Sequence, residues 1–360
     1  MSLAKEHEII EVRWSPTPRV SIVIPSTSDP DLLCACLRSL SRFAPADIPF
    51  ETIVVLNQSN AGLEATLART VCGVRFLSTQ ANLGMAGSGN RGRSHARGEF
   101  IVTLHDDAEV EAGWLEALVE AADAHPEAGA VGGKVLSLDG RLQSAGMILW
   151  SDALTSTPWC GKTPPASCFD RLRAVDYCGS SSLLVRASAW DAVGGLDERF
   201  YPAYFVDVDL SMALRRIGLV VLYQPKSRIR HHQGASGSGR FRAFISGRNR
   251  QPFIQKWADD LQHFEPPGRN SPEAIARAME RAENFAASRK GAGIPLERPK
   301  KEEAPFPTAF HDQLHIEKRH DLYRAYHAEL SRKLHRKRPR RHKRWLATFY
   351  SLIRRWKSMI

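Results

Sequence analysis

Four short runs of apolar, largely β-branched side chains, VSIVIP (20–25), ETIVVL (51–56), VRFL (74–77) and FIVTL (100–104), are separated by stretches of helical length such as Asp31 to Phe43 and Ala61 to Val71. A strand that is apolar along its whole length needs cover on both faces. Crossover helices supply it, so the alternation predicts an α/β domain with a largely parallel sheet. Further along, AGAVGGKVL and SSLLVR read as additional strands, and VDLSMALRRIGLVVLYQP reads as a helix running into a strand. Sheets of this class bind ligands at the carboxyl ends of their strands. At that end of FIVTL the chain turns abruptly ionisable, with His105, Asp106, Asp107 and then Glu109.

The 360 residues exceed the roughly 250–300 at which one hydrophobic core stops growing, so appendages or a second domain are expected. No stretch approaches the ~18 apolar residues of a membrane span, and MSLAKEHEIIEVRW is too charged for a signal peptide, which points to the cytoplasm. Six sparse cysteines without a zinc-type Cys-x-x-Cys pair read as reduced, mostly buried thiols. The net charge of +11 belongs to the tail: residues 331–360 hold 12 Lys and Arg and no acid, leaving 38 basic and 39 acidic side chains elsewhere. Composition changes near Phe264, where Pro266, Pro267 and Gly268 precede a helix-like PEAIARAMERAENFAASRK and a linker, GAGIPLERPKKEEAPFP. The expected organisation is an extension over 1–18, a catalytic body over 19–258, a helix and Pro/charged linker over 259–309, and a basic helical tail over 310–360.

Acids at a strand end cap a following helix, bind ribose hydroxyls, or hold a divalent cation that neutralises phosphate. Capping is the plain reading, with Asp106 or Asp107 preceding EAGWLEALVEAADAH. The glycine-rich GSGNRG (87–92) is a literal G-x-G-x-x-G, but Gly87 lies well past the preceding strand, so a dinucleotide-binding turn is not supported. A small-residue loop packing closely on a neighbour explains it.

The ordered set SIVIPSTSDPDLLCACLRSL, ETIVVLNQS, NLGMAGSGNRG, ARGEFIVTLHDDAEV, YCGSSSLLVRASAWDAVGGLDERF, DVDLSMALRRIG and RHHQGAS resembles the family 2 glycosyltransferases of the GT-A fold over about residues 19–240. The resemblance implies a Rossmann-like mixed sheet flanked by helices, and inverting transfer of a sugar from a nucleoside-diphosphate donor to a hydroxyl of a glycan or lipid-linked acceptor. It implies a divalent metal, Mg²⁺ or Mn²⁺, because negative charge builds on the departing diphosphate. Matched residue by residue, Asp107 falls on the metal position and Asp106 on the ribose position. His105 replaces the first Asp of the usual Asp-x-Asp, which leaves its role open, and Glu109 is read as a helix-start residue. Pro25 and Ser26 match the turn that cradles the base. Asn57 stands where the family usually has an Asp reading the pyrimidine edge, and Arg91 is a candidate for the diphosphate. Asp207 matches the catalytic base, with Val206 in place of the usual preceding Glu; an N-cap is the competing reading, and Asp209 reads as structural, directed to the helix start. His231 matches the family's later metal ligand, with His232 second, after a strand read as ending at Tyr223. Gly179 and Ser180 match the small-residue turn on the acceptor side, and GGLDERF (194–200) is expected to shape that pocket.

In the tail, Trp345, Leu346, Phe349, Leu352, Ile353 and Trp356 recur at helical spacing among Arg344, Arg354, Arg355 and Lys357. A basic helix with such a face suits an anionic membrane surface, placing the enzyme peripherally on the inner side. The rival from a different class is a non-enzymatic polyanion- or nucleic-acid-binding protein that uses this tail. It requires none of Asp107, Asp207 and His231, and the body lacks a basic stripe.

Overall fold

The computed structural model describes residues 9–27, 29–59, 61–158, 169–232, 239–268, 271–291, 321–322 and 324–329. The linker from 292, the basic tail over 331–360, Cys160, Cys168 and the end of RHHQGAS lie outside the described residues. The chain divides into two units, Met1–Ile316 and Glu317–Ile360. In the second, residues 321–322 and 324–329 are helical.

The first unit is built on strands β1 (Val20–Ser26), β2 (Phe50–Asn57), β3 (Val74–Thr79), β4 (Phe100–Leu104), β5 (Ala108–Val110), β6 (Ala128–Leu136), β7 (Leu142–Ser144), β8 (Arg173–Val175), β9 (Ser182–Arg186) and β10 (Val220–His231). Its helices are α1 (Pro30–Phe43), α2 (Ala61–Thr70), α3 (Gly84–Arg93), α4 (Trp114–Ala124), α5 (Ala187–Ala192), α6 (Val206–Arg216), α7 (Gly239–Lys256), α8 (Ala258–Leu261) and α9 (Pro272–Ala287). One sheet runs β8-β10-β6-β9-β4-β1-β2-β3, with β5 added on β10 and β7 on β6. The β4-β1-β2-β3 half is parallel, whereas β9 is antiparallel to both β4 and β6, making the sheet mixed.

Alternation along the central strands explains their unbroken apolar runs. On β1 and β4, Val20, Ile22, Ile24, Phe100, Val102 and Leu104 join one core cluster, while Val23 and Ile101 face a second. Helix α1 starts where Asp29 accepts from the Asp31 and Leu32 backbone N–H groups, with Pro30 at the first helical position. It buries Leu33, Cys36, Leu37 and Leu40 at helical spacing.

Several local readings need correction. GSGNRG is helical, lying inside α3. Its glycines still serve close packing: a Cβ on Gly89 would sit 2.6 Å from Leu196, and one on Gly92 would sit 2.2 Å from Val23. Tertiary contact there outweighs the poor helix propensity of glycine. Neither Asp106 nor Asp107 caps a helix, because β5 intervenes and α4 begins after Gly113. Glu109 lies in β5 and is no helix-start residue. The strand read as ending at Tyr223 continues to His231, absorbing Pro225 at a register shift between Gln224 and Arg228.

Helix α9 packs on β8 through a polar clamp. Arg281 meets Asp176 through Nη1 at 3.2 Å and Nη2 at 2.9 Å, and its Nε donates to Glu265 at 2.9 Å. The Asp176 side chain is 2% exposed, so removing its partner strands a buried charge. Arg281→Met is expected to destabilise the fold by about 3–5 kcal/mol in a denaturant titration. A change below about 1 kcal/mol would mean that the pair contributes no more than an exposed one.

Candidate active site

Two strand ends build the site. The chain leaves β4 at Leu104, turns through His105 to Asp107, and re-forms as β5, whose Ala108 stands opposite His231 at the end of β10. The His232 N–H donates to the Asp107 carbonyl at 2.9 Å, closing the same ladder. Backbone pairing thus brings an imidazole more than a hundred residues away to the carboxylates.

His231 Nε2 lies 3.1 Å from Asp107 Oδ1 and 3.3 Å from His105 Nδ1, and His105 Nδ1 lies 3.8 Å from the same carboxylate oxygen. These three ligand atoms are mutually within 4.8 Å. Each imidazole is engaged on its other nitrogen: His231 Nδ1 is 3.1 Å from Gln143 Oε1, and His105 Nε2 is 3.5 Å from Ser180 Oγ. When those nitrogens donate, two ring lone pairs and a carboxylate oxygen face one point and suit a cation; in the other tautomer His231 Nε2–H donates to Asp107. Burial, then the neighbouring His231, pushes His105 down to about 4, so it is the neutral ring that a metal ligand must be. Burial would raise Asp107, but the His231 hydrogen bond and the two imidazoles outweigh it and hold the carboxyl below its ordinary value. Separations near 3–4 Å between donors suit a divalent ion bonded at about 2.0–2.2 Å to each. The residues fit a metal.

His232 turns away, its Nε2 2.8 Å from Glu109 Oε1. Asp106 faces β1: its Oδ2 accepts from the Thr27 N–H at 3.2 Å, and the Ser26 hydroxyl also bonds it. Burial first, aided by Asp107, raises Asp106 to about 6 despite those bonds. Pro25 and Ser26 close β1 beside it. Asn57 is buried; its Oδ1 accepts from the Leu83 N–H at 2.9 Å and its amide donates to Ser88 Oγ at 2.9 Å. Its amide therefore ties β2 to the start of α3. Arg91 lies on α3 with its Nε buried and without a hydrogen-bond partner among the described residues.

Asp207 sits in the first turn of α6, whose N-cap is Phe205, so it is no N-cap. Its Oδ2 accepts from the Ser180 N–H at 3.3 Å and its Oδ1 from the Val208 N–H at 3.0 Å. A Cβ on Gly179 would lie 3.7 Å from Asp207 Oδ2, in ordinary contact with it, so Gly179 borders the carboxylate directly. The 179–181 turn is fixed to β4 because Thr103 Oγ1 donates to the Ser180 carbonyl at 3.0 Å and the His105 N–H to that of Ser181 at 3.1 Å. Asp207, Ser180, His105 and the Asp107–His231 pair consequently form one continuous line. Asp209 is structural, but it points to α7 instead of the helix start, accepting from Lys256 Nζ at 2.8 Å and Trp257 Nε1 at 2.7 Å.

Sequence reasoning left His105 without a role and missed Gln143. Nothing local marks Gln143, which reaches the site only because β7 folds back on β6; its Nε2 also donates to the His231 carbonyl at 2.9 Å. Gln143→Leu is expected to weaken Mn²⁺ binding about 10–100-fold by calorimetric titration, since the ring loses the partner that fixes its tautomer. Unchanged affinity would remove Gln143 from the account.

This mixed sheet with helices on its faces is a GT-A type glycosyltransferase fold. It matches the crystal structure of GalNAc-T7 with UDP, GalNAc and Mn²⁺ at a TM-score of 0.55, with 15% identity, over 68% of this chain and 49% of that one. Residues 21–191 match the model of Glycosyl transferase family 2. The chain is 31% identical over 229 residues to the O-antigen biosynthesis protein RfbC of Myxococcus xanthus, covering 61% of this chain but spanning only 18% of RfbC. It is 28% identical over 250 residues to an N-acetylglucosaminyl-diphospho-decaprenol L-rhamnosyltransferase of Mycobacterium tuberculosis, covering 63% of this chain and 76% of that protein.

Proposed function

We propose that this chain is an inverting glycosyltransferase of cell-envelope polysaccharide biosynthesis, moving a sugar from a nucleoside diphosphate to a hydroxyl of a glycan or lipid-linked acceptor. The observation that carries the reading is the line from Asp207 through Ser180 and His105 to Asp107 and His231, which sets a buried carboxylate beside a cluster suited to a cation. A divalent ion held by His105, Asp107 and His231 would offset charge on the departing diphosphate. Two nitrogens and one oxygen serve Mn²⁺ better than Mg²⁺, which favours all-oxygen surroundings.

Asp207 takes the proton from the acceptor hydroxyl, and Gly179 leaves room for that hydroxyl to approach. Asp106, steadied by Ser26 and the Thr27 N–H, orients the donor ribose at the end of β1. Pro25 and Asn57 shape the nucleotide side, and Arg91 contributes positive charge toward the diphosphate. Support for a decaprenol-type or other lipid-linked acceptor comes from the name of the mycobacterial relative. The test is a screen of nucleotide sugars for Mn²⁺-dependent diphosphate release: turnover of at least one donor is expected, and turnover of none, or turnover indifferent to chelator, would refute the reading.

Among the described residues, no helix is long and apolar enough to cross a membrane. The basic segment 331–360 supplies surface attachment in this reading, each basic group adding about 1 kcal/mol near anionic lipid. Deleting it is expected to move the protein from membrane to soluble fractions with donor hydrolysis intact. Unchanged membrane recovery would contradict the assignment.

A further inference from the structure

The backbone just before Asp207 is unusual. Tyr204 and Phe205 both adopt left-handed conformations, with φ of +69° and +67°, although neither is glycine. Phe205 then caps α6 without a side-chain cap hydrogen bond, and Asp207 follows two residues later. Such a segment holds only where its surroundings impose it.

What imposes it is α7. Asn249 is fully buried, and its Nδ2 donates to the carbonyls of Ala203 at 2.9 Å, Phe200 at 3.0 Å and Tyr204 at 3.3 Å. Arg248 Nη1 donates to Asn249 Oδ1 at 3.0 Å and to the Tyr201 carbonyl at 3.1 Å, which turns the amide so that its N–H groups face the loop. One helical turn on, the Phe253 ring packs 5.0 Å from that of Phe205 and 6.2 Å from that of Phe200. Beyond the base, Lys256 and Trp257 hold Asp209. The grip falls on both flanks of Asp207 and leaves its carboxylate to the Val208 and Ser180 N–H groups.

We propose that Asn249 is a positioning residue for Asp207: its side-chain amide latches the left-handed segment that delivers the carboxylate to the acceptor side. This rests on the reading of Asp207 as the base. Two N–H groups shared among three carbonyls demand a donor at that point, and a carboxylate of the same size would meet the same carbonyls with repulsion. Asn249→Asp and Asn249→Ala both remove the latch, whereas a role in filling space alone would spare Asn249→Asp.

The experiment uses the full chain in two arms. Hydrogen exchange reads the latch without any turnover: in both variants, amides of residues 204–209 are expected to exchange about tenfold or more faster, with β1 and β4 unchanged. Kinetics read the consequence: kcat for the donor found by the screen should fall roughly 10–100-fold, while donor KM and affinity for its nucleoside diphosphate with Mn²⁺ stay within about twofold. Unchanged exchange would overturn the latch, and faster exchange with wild-type kcat would overturn its positioning role. Loss of protection throughout the sheet together with nucleotide affinity would make Asn249 a support of the fold only. A wild-type chain that turns over no donor would defeat the transferase reading itself, and exchange would still decide the latch.

Discussion

Asp107→Ala is expected to lower Mn²⁺-dependent diphosphate release by at least about 10³-fold and to weaken Mn²⁺ binding in the same measurement series. The reason lies in what surrounds the carboxylate. It is the sole anionic oxygen of the three converging ligand atoms, and it is the atom nearest to His231 Nε2. Its removal leaves two imidazole nitrogens, which bring no negative charge to offset a divalent cation. The loss should come without unfolding, because Asp107 contributes its backbone to the ladder through its carbonyl and the His232 N–H, and alanine keeps that bond. A variant that melts like the wild type and retains Mn²⁺-stimulated turnover would place the cation elsewhere.

Asp207→Asn should reduce kcat by about 10²–10⁴-fold, the span typical of a lost general base, with donor and Mn²⁺ affinity within about twofold. Asparagine keeps the volume beside Gly179 and can accept from one of the two N–H groups of Val208 and Ser180, its NH₂ facing the other, so basicity is lost together with one hydrogen bond. The pH dependence gives an independent check. Burial raises the Asp207 carboxyl above the ordinary aspartate value of 3.8, and the backbone N–H bonds oppose this without cancelling it. A base works ionised, so the rate must fall as pH drops through that raised value. The acid limb of the kcat profile is therefore expected above pH 3.8 and should vanish in Asp207→Asn. A variant with wild-type kcat would transfer the role to another group.

Where burial on both faces wrote the sequence, the sequence could be read back. FIVTL and AGAVGGKVL mark β4 and β6 to the residue because their apolar positions divide between the two cores, Phe100, Val102, Leu104, Ala128, Val131 and Val135 in one and Ile101 and Ala130 in the other. Legibility failed where distant contact decides. Helix α3 is rich in glycine because Val23, Leu196 and Trp190 approach its axis, a demand that its own composition disguises as a loop. Three-residue β5 carries a glutamate and exists only because β10 pairs with it, and β10 runs on past Pro225 only by bulging. The same ladder decides the site. Asp107 and His231 could be matched from a family pattern, but the partners of His105 and Gln143 come from a strand end and a hairpin that meet in three dimensions. The strained turn before Asp207 has no sequence signature, since Tyr and Phe are poor candidates for left-handed backbone.

The central claim is that His105, Asp107 and His231 jointly hold a divalent cation at the carboxyl end of β4. Anomalous scattering from a crystal grown with Mn²⁺ and a nucleoside diphosphate tests it directly. A manganese peak within about 2.0–2.3 Å of His105 Nδ1, Asp107 Oδ1 and His231 Nε2 is the expected result. A peak elsewhere on the protein, with those three side chains contacting only one another or water, would contradict it.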